Sequence, residues 1–194
     1  MNSPEPITCV GFVLVSFILA GIVQTVWYKT AWSKRFAIAI DGGRTFQGHR
    51  ILGENKTLRG FVVMVPAVGT AFVVVRVLFE SVGLSADNLW LMSLMEYFWL
   101  GCWAGFGFMI GEFPNSFFKR RWEVEPGAAP RHPVARASCF FIDQIDSILG
   151  GLIAAAIFVP VPLLSWILVV FFGSTIHWAF NLLFVMIGLK ARAA

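Results

Sequence analysis

Two aspartates three residues apart, Asp143 and Asp146 in FFIDQIDSILGG (140–151), stand at the start of a long apolar run. At i and i+3 they share one helical face, so their carboxylates can converge on a single point. On an insertion scale an Asp near the centre of a membrane helix costs roughly 2.5–3.5 kcal/mol, so something must compensate for the pair. A third acid, Glu112, leaves the preceding apolar run toward the same face. One compensation is an internal salt bridge to Lys or Arg of the loops. The other is a Mg²⁺ ion, which takes a few carboxylates plus phosphate oxygens rather than a complete protein cage. The clustering of three acids favours the ion, with Asp143, Asp146 and Glu112 as its ligands.

Basic residues surround these acids in two loops. GRTFQG (43–48) and NKTLRG (55–60) both read basic-Thr-x-x-Gly, twelve residues apart. Glycine permits a tight backbone approach, and Thr hydroxyls with Lys or Arg heads donate to phosphate. Two such turns side by side would wrap a polyphosphate, with Arg44, Lys56, Thr57 and Arg59 as contacts. The alternative is contact with anionic lipid heads, the reading that fits Lys29, Lys34 and Arg35 beside the first apolar run. No G-x-x-x-x-G-K-[ST] loop is present. The second loop opens GEFPNSFFKRRWEVEPG (111–127), where Pro114 is expected to break the helix and Asn115 and Ser116 to cap or donate. Lys119, Arg120 and Arg121 come next as a dense cationic run.

The elements that position these groups are membrane helices. Of 194 residues 58% are hydrophobic and 13% charged, against roughly 25% charged in a soluble domain. Apolar runs long enough to cross hydrocarbon lie at about Ile7–Tyr28, Phe61–Val82, Leu89–Ile110, Phe140–Pro160 and Leu163–Leu189. The expected fold is all-α and integral to the membrane: five transmembrane helices, two long cytosolic loops, one domain over residues 1–194. The first run has Glu5 rather than a positive residue ahead of it and no A-x-A site, so a retained span is expected. Lys and Arg crowd residues 29–60 and 112–137, with Lys190 and Arg192 in the tail, while the other side shows Glu80, Asp87 and a Pro160-Val161-Pro162 corner. The positive-inside rule then puts the N-terminus outside and both loops and the C-terminus in the cytosol of a multi-pass cell (inner) membrane. Trp27, Tyr28 and Trp32 at one boundary and Trp90 at the other read as aromatic belts. Gly101, Gly105, Gly107 and Gly111 leave a shaved face for a neighbouring helix. Cys9, Cys102 and Cys139 lack C-x-x-C spacing and read as small buried hydrophobes. His177 and Asn181 are placed as a polar contact inside the bundle. Glu96 finds no role from its position.

IDGGRTFQGHRILGENKTLRG (40–60), GEFPNSFFKRRWEVEPG (111–127) and IDQIDSILGG (142–151), in order between five apolar runs, resemble the CDP-archaeol synthase family, itself distantly similar to CDP-diacylglycerol synthases. The resemblance covers most of the chain. It implies an integral membrane cytidylyltransferase that joins CTP to a lipid phosphate with Mg²⁺ and releases pyrophosphate. It assigns Lys56, Thr57 and Arg59 to one family turn, Ser116, Lys119, Arg120 and Arg121 to a second stretch, and Asp143 and Asp146 to the D-Q-x-D helix. Glu112 stands where the family usually has Asp, Asn55 replaces a Gly, and Glu125 replaces a basic residue. Partners implied are CTP, an archaeol-type or phosphatidic-acid-like lipid phosphate and membrane lipids, with no nucleic acid. Asp143, Asp146 and Lys119 are expected to be catalytic, and Arg44, Lys56, Thr57, Arg59, Asn115, Ser116, Arg120 and Arg121 to bind substrate. Two other classes compete: a small transporter or channel whose path runs through Glu96, Asp143, Asp146 and His177, and a non-catalytic adaptor for anionic lipid.

Overall fold

The computed structural model describes residues 3–83, 88–125, 128, 130 and 132–189. Of the charges that set the expected orientation, Asp87, Arg131, Lys190 and Arg192 lie outside these residues. The described residues form five long helices: α1 (Pro6–Lys29), α2 (Leu58–Ser81), α3 (Leu94–Arg121), α4 (Pro133–Ala156) and α5 (Leu163–Met186). Between α1 and α2 come a 3₁₀ turn (Trp32–Phe36) and a two-stranded antiparallel hairpin, β1 (Thr45–Phe46) and β2 (His49–Arg50). Helices α1, α2, α4 and α5 are each long and apolar enough to cross a membrane. Helix α3 is longer, at 28 residues, but mixes Gly and Trp into its apolar stretch.

The local chemistry explains where the helices begin. Glu5 caps α1, accepting from the amides of Ile7 (3.0 Å) and Thr8 (2.5 Å). Ser93 and Glu96 form a reciprocal capping box on α3, with the Ser93 amide donating to Glu96 at 2.7 Å and the Glu96 amide to Ser93 Oγ at 3.3 Å. The cap sets the start of α3 five residues after the expected Leu89, and it gives Glu96 its role. Helix α1 packs into the core, where Cys9, Val10, Phe12 and Val13 are buried.

The end of the bundle far from the charged loops is sealed by aromatic rings. Phe12 lies edge-on to Phe72, Tyr97 and Trp90, at centroid distances of 4.9, 5.6 and 5.9 Å. Trp90 is not a belt residue: it is 1% exposed and its indole N–H donates to the Pro160 carbonyl at 2.8 Å, bracing the α2–α3 connection against the α4–α5 corner. All three cysteines are free and buried.

Helix α3 packs along both α2 and α4, and glycine permits each approach. The Cβ of an alanine at Gly111 would collide with the backbone carbonyl of Asp146, and Gly107 meets Gly150 in the same way. Side chains there would wedge the helices apart, so the seam fixes how closely α3 and α4 present their acids. A Gly111→Ala substitution is expected to destabilise the bundle by about 1–3 kcal/mol through overpacking. A Gly11→Ala control, whose added carbon meets only the Phe79 ring at an ordinary 3.7 Å, is expected to leave the thermal midpoint in detergent unchanged.

Candidate active site

The charged end of the bundle is built from the α3–α4 seam outward. Asp143 and Asp146 lie one turn apart on α4, and Asn115 of α3 bridges them: its Nδ2 donates to Asp143 Oδ1 at 2.6 Å and to Asp146 Oδ2 at 3.1 Å. The two carboxylates therefore converge on one amide nitrogen. Glu112, almost one turn earlier on α3, accepts from Ser147 Oγ at 2.9 Å, and the Ser147 amide donates to Asp146 at 2.6 Å. Three acids from two helices thus meet around Asn115 and Ser147.

Two lysines balance them. Lys119 Nζ donates to both oxygens of Asp143 at 2.5 Å, and Lys56 pairs with Glu112. The salt-bridge compensation weighed from the sequence is therefore present for Asp143 and Glu112. Asp146 forms no ion pair among the described residues. Burial disfavours the Lys56 ammonium, but Glu112, Asp146 and Asp143 outweigh it and raise the group above its ordinary value. Lys56 stays cationic at neutral pH.

Helix α3 runs through Pro114 to Arg121 instead of breaking there. Proline removes only its own donor, and in a membrane bundle neighbouring groups can compensate for the freed carbonyl. Continuation keeps Asn115, Ser116 and Lys119 on the face toward α4. As a helix break with capping residues, this stretch would have scattered them.

The two basic-Thr-x-x-Gly segments are not equivalent turns. The first is the β-hairpin, with Gln47 (φ 52°) and Gly48 (φ 79°) at its tip, the left-handed pair that a two-residue hairpin turn requires. The second enters α2. The Ile40 amide donates to the Lys56 carbonyl (2.9 Å) and the Leu58 amide to the Ile38 carbonyl (3.0 Å), a short ladder that holds Lys56 beside Glu112. Asp41, unremarked in the sequence, ties this region together. Its buried carboxylate accepts from the amides of Gly43 (3.0 Å), Leu52 (3.2 Å) and Gly53 (3.0 Å) and from Arg50 Nη2 (2.6 Å). Burial works against its charge, but Arg50 and these backbone donors prevail and hold the carboxyl well below the usual range. The sequence signal was Asp followed by Gly-Gly, an Asx-turn signature.

The site opens into a cavity of about 560 Å³. Lys56, Thr57, Arg59, Glu112, Ser116, Lys119, Arg120, Asp143 and Asp146 line one end, and Val13, Phe17, Leu152 and Val169 the other. Arg59 lies over the Tyr28 ring at 4.4 Å and donates to the Tyr28 carbonyl. Arg120 donates to the Val124 carbonyl. Both retain a buried Nε–H with no protein acceptor. Arg44 and Arg121 are not brought to the cavity. Arg44 is exposed, and Arg121 donates instead to the carbonyls of Phe46, His49 (3.0 Å) and Arg50 (2.9 Å). Asn181 Nδ2 donates to Gln144 Oε1 at 3.3 Å, while the His177 ring packs 5.7 Å from Phe108.

Among the described residues no three acid, His or Cys side chains form a ready metal cage. The donor set nevertheless fits a hard divalent ion: convergent carboxylate oxygens leave most positions to water and phosphate, as Mg²⁺ prefers. The acids collect at one end and aromatic rings close the other, an arrangement unlike a path for ions across the bundle.

Fold and site define an all-helical multi-pass membrane protein with a charged cleft continuous with an apolar one. The family model "CarS-like: CDP-archaeol synthase" matches residues 18–193. The chain is 32% identical to a CDP-archaeol synthase of Methanospirillum hungatei over 78% of its length and 86% of that protein's. It is 31% identical to one of Archaeoglobus fulgidus, over 72% and 76%. A solved structure described as "Structural insight into an intramembrane enzyme for archaeal membrane lipids biosynthesis" shares the fold, with a TM-score of 0.57, 21% identity, and coverage of 87% of this chain and 94% of that one. The chain belongs to the CDP-archaeol synthase family.

Asp41→Asn is expected to release the loop by about 1.5–3 kcal/mol, the worth of charged hydrogen bonds. Because the folded-state pKa lies below the unfolded value near 3.9, this stabilisation is fully present above about pH 4 and is lost only as pH falls through the folded value. Hydrogen exchange at the Leu52 and Gly53 amides checks it: protection persists from neutral pH to about pH 4 in the native chain and is reduced throughout in the variant.

Proposed function

We propose that this protein is a cytidylyltransferase that transfers CMP from CTP to a membrane lipid phosphate of the archaeol type, forming a CDP-lipid and pyrophosphate. The observation that carries the reading is one cavity with convergent acids and cations at one end and an apolar lining at the other, where a lipid phosphate and a nucleotide can meet. Five helices cross the membrane in this reading, with α3 as the fifth span, and the charged end faces the cytosol, where CTP is available.

An oxygen of the lipid phosphate attacks the α-phosphorus of CTP. The bond from that phosphorus to the β-phosphate bridging oxygen breaks, and pyrophosphate leaves with the electron pair. Positioning and charge neutralisation dominate such a displacement. A lipid phosphate dianion is already nucleophilic, so no general base is required.

Asp143 and Asp146, with Glu112 directly or through water, would hold Mg²⁺, which when bound supplies charge neutralisation to the CTP phosphates. Lys56 and Lys119 exchange their carboxylate partners for incoming phosphates. Arg59 and Arg120 direct their free Nε–H groups to phosphate oxygens, and Thr57 and Ser116 add hydroxyl donors. Asn115 keeps the two aspartates in register.

The test is CTP-dependent formation of a CDP-lipid by purified protein, followed by mass spectrometry over a panel of ether and ester lipid phosphates. Asp143→Asn and Asp146→Asn are each expected to lower kcat by about 100-fold or more, with activity depending on added Mg²⁺. Undiminished turnover in both variants removes the metal assignment, and no CDP-lipid from any acceptor removes the function.

A further inference from the structure

The hairpin β1–β2 is absorbed by no part of the active site, yet it is tied firmly to the outside of α3. Arg121 donates to three of its carbonyls, and the Arg121 guanidinium lies 5.5 Å from the Phe46 ring centroid and 4.9 Å from that of Phe117. Phe46 is itself 51% exposed and 6.2 Å from Phe117. Phe118 and Trp122, 55% and 63% exposed, continue the patch. The patch extends the outward-facing side of α3, where Trp99 and Trp103 are also exposed.

Length places this patch. The 28 residues of α3 span about 42 Å, against a hydrocarbon core of about 30 Å. With the capped start of α3 at one boundary, the turns that carry Phe117, Phe118 and Arg121 fall in the headgroup layer at the other. Exposed rings interleaved with cations suit that layer. Trp32, 64% exposed, repeats the pairing on the 3₁₀ turn, with Arg35 at 4.5 Å from its ring.

We propose that the hairpin is an interfacial foot that docks on anionic lipid headgroups of the leaflet at the cavity mouth, with Phe46 in the headgroup layer and Arg44 on lipid phosphates. Its consequence runs through Asp41. Arg50 of the hairpin pairs with Asp41 at 2.6 Å, Asp41 holds the Leu52 and Gly53 amides, and the Ile40 amide holds the Lys56 carbonyl. Seating the foot therefore steadies Lys56 opposite Glu112, a consequence that rests on the proposed function. The docking itself does not.

The test uses the full chain in nanodiscs of phosphatidylcholine, alone or in equal mixture with phosphatidylglycerol. The native cysteines are buried, so Phe46→Cys takes a maleimide fluorophore selectively, and Trp122→Cys serves as a second reporter should the first fail to fold. Expected is quenching by headgroup spin-labelled lipid about twofold stronger than by aqueous iodide, and stronger in the anionic discs. Free phosphate in solution is expected to leave it unchanged. Equal access to iodide in both discs at both reporters overturns the docking. In the same discs Arg44→Gln is expected to lower the ratio of CDP-lipid formation in anionic to neutral discs about fivefold, one surface cation's worth. A raised KM for CTP, equal in both lipids, instead places Arg44 on the nucleotide and overturns its assignment to lipid. If no CDP-lipid forms at all, the enzymatic reading fails while the fluorescence still decides the docking.

Discussion

Three carboxylates held together at the end of a membrane bundle repel one another, and the rest of the structure is arranged around that repulsion. The α3–α4 glycine seam enforces the proximity, because Gly111 lets the Asp146 carbonyl lie directly on α3. Lys119, Lys56, Asn115 and Ser147 then supply the compensating donors. Each lysine comes from a different element, one from α3 itself and one from the loop before α2. Like charges at this separation are tolerated only while such partners stay in place.

Two elements deliver the cations, and they do so by different physics. Helix α3 does it by persisting: running through Pro114 keeps Asn115, Ser116 and Lys119 in helical register with the acids of α4. The first loop has no helix to rely on and uses a buried carboxylate instead. Asp41 gathers three backbone amides and Arg50, which converts a glycine-rich connection into a fixed frame for Lys56. The apolar half of the cavity needs no such device, since its walls are helix faces packed as part of the core.

The five long apolar runs, the convergence of Asp143 with Asp146 and the proximity of Glu112 were legible in the sequence because periodicity and spacing encode them directly. Helix limits were less so. Proline argued for a break at Pro114, and only packing against α4 outweighs it. Ser93 and Glu96 carried a readable capping box, but inside an apolar run Glu96 drew attention as a charge rather than a cap. The two basic-Thr-x-x-Gly segments looked like copies because the pattern stops at its glycine. Beyond Gly48 lie residues that pair back across a hairpin, and beyond Gly60 an apolar helix. Arg121 sits beside Arg120 in the sequence, yet a one-residue step on a helix turns it about 100° away, out of the cavity and onto the hairpin. Trp90 matched an interfacial aromatic by position alone, while its indole N–H is spent inside the protein on Pro160.

The measurement that bears most directly on the acid cluster is binding of Mn²⁺, as a paramagnetic stand-in for Mg²⁺, to the detergent-purified protein with CTP, read by electron paramagnetic resonance. The expected result is a bound Mn²⁺ signal that requires CTP and disappears in Asp146→Asn while the protein remains folded. A CTP-dependent signal of undiminished strength in that variant would contradict the shared-ion site.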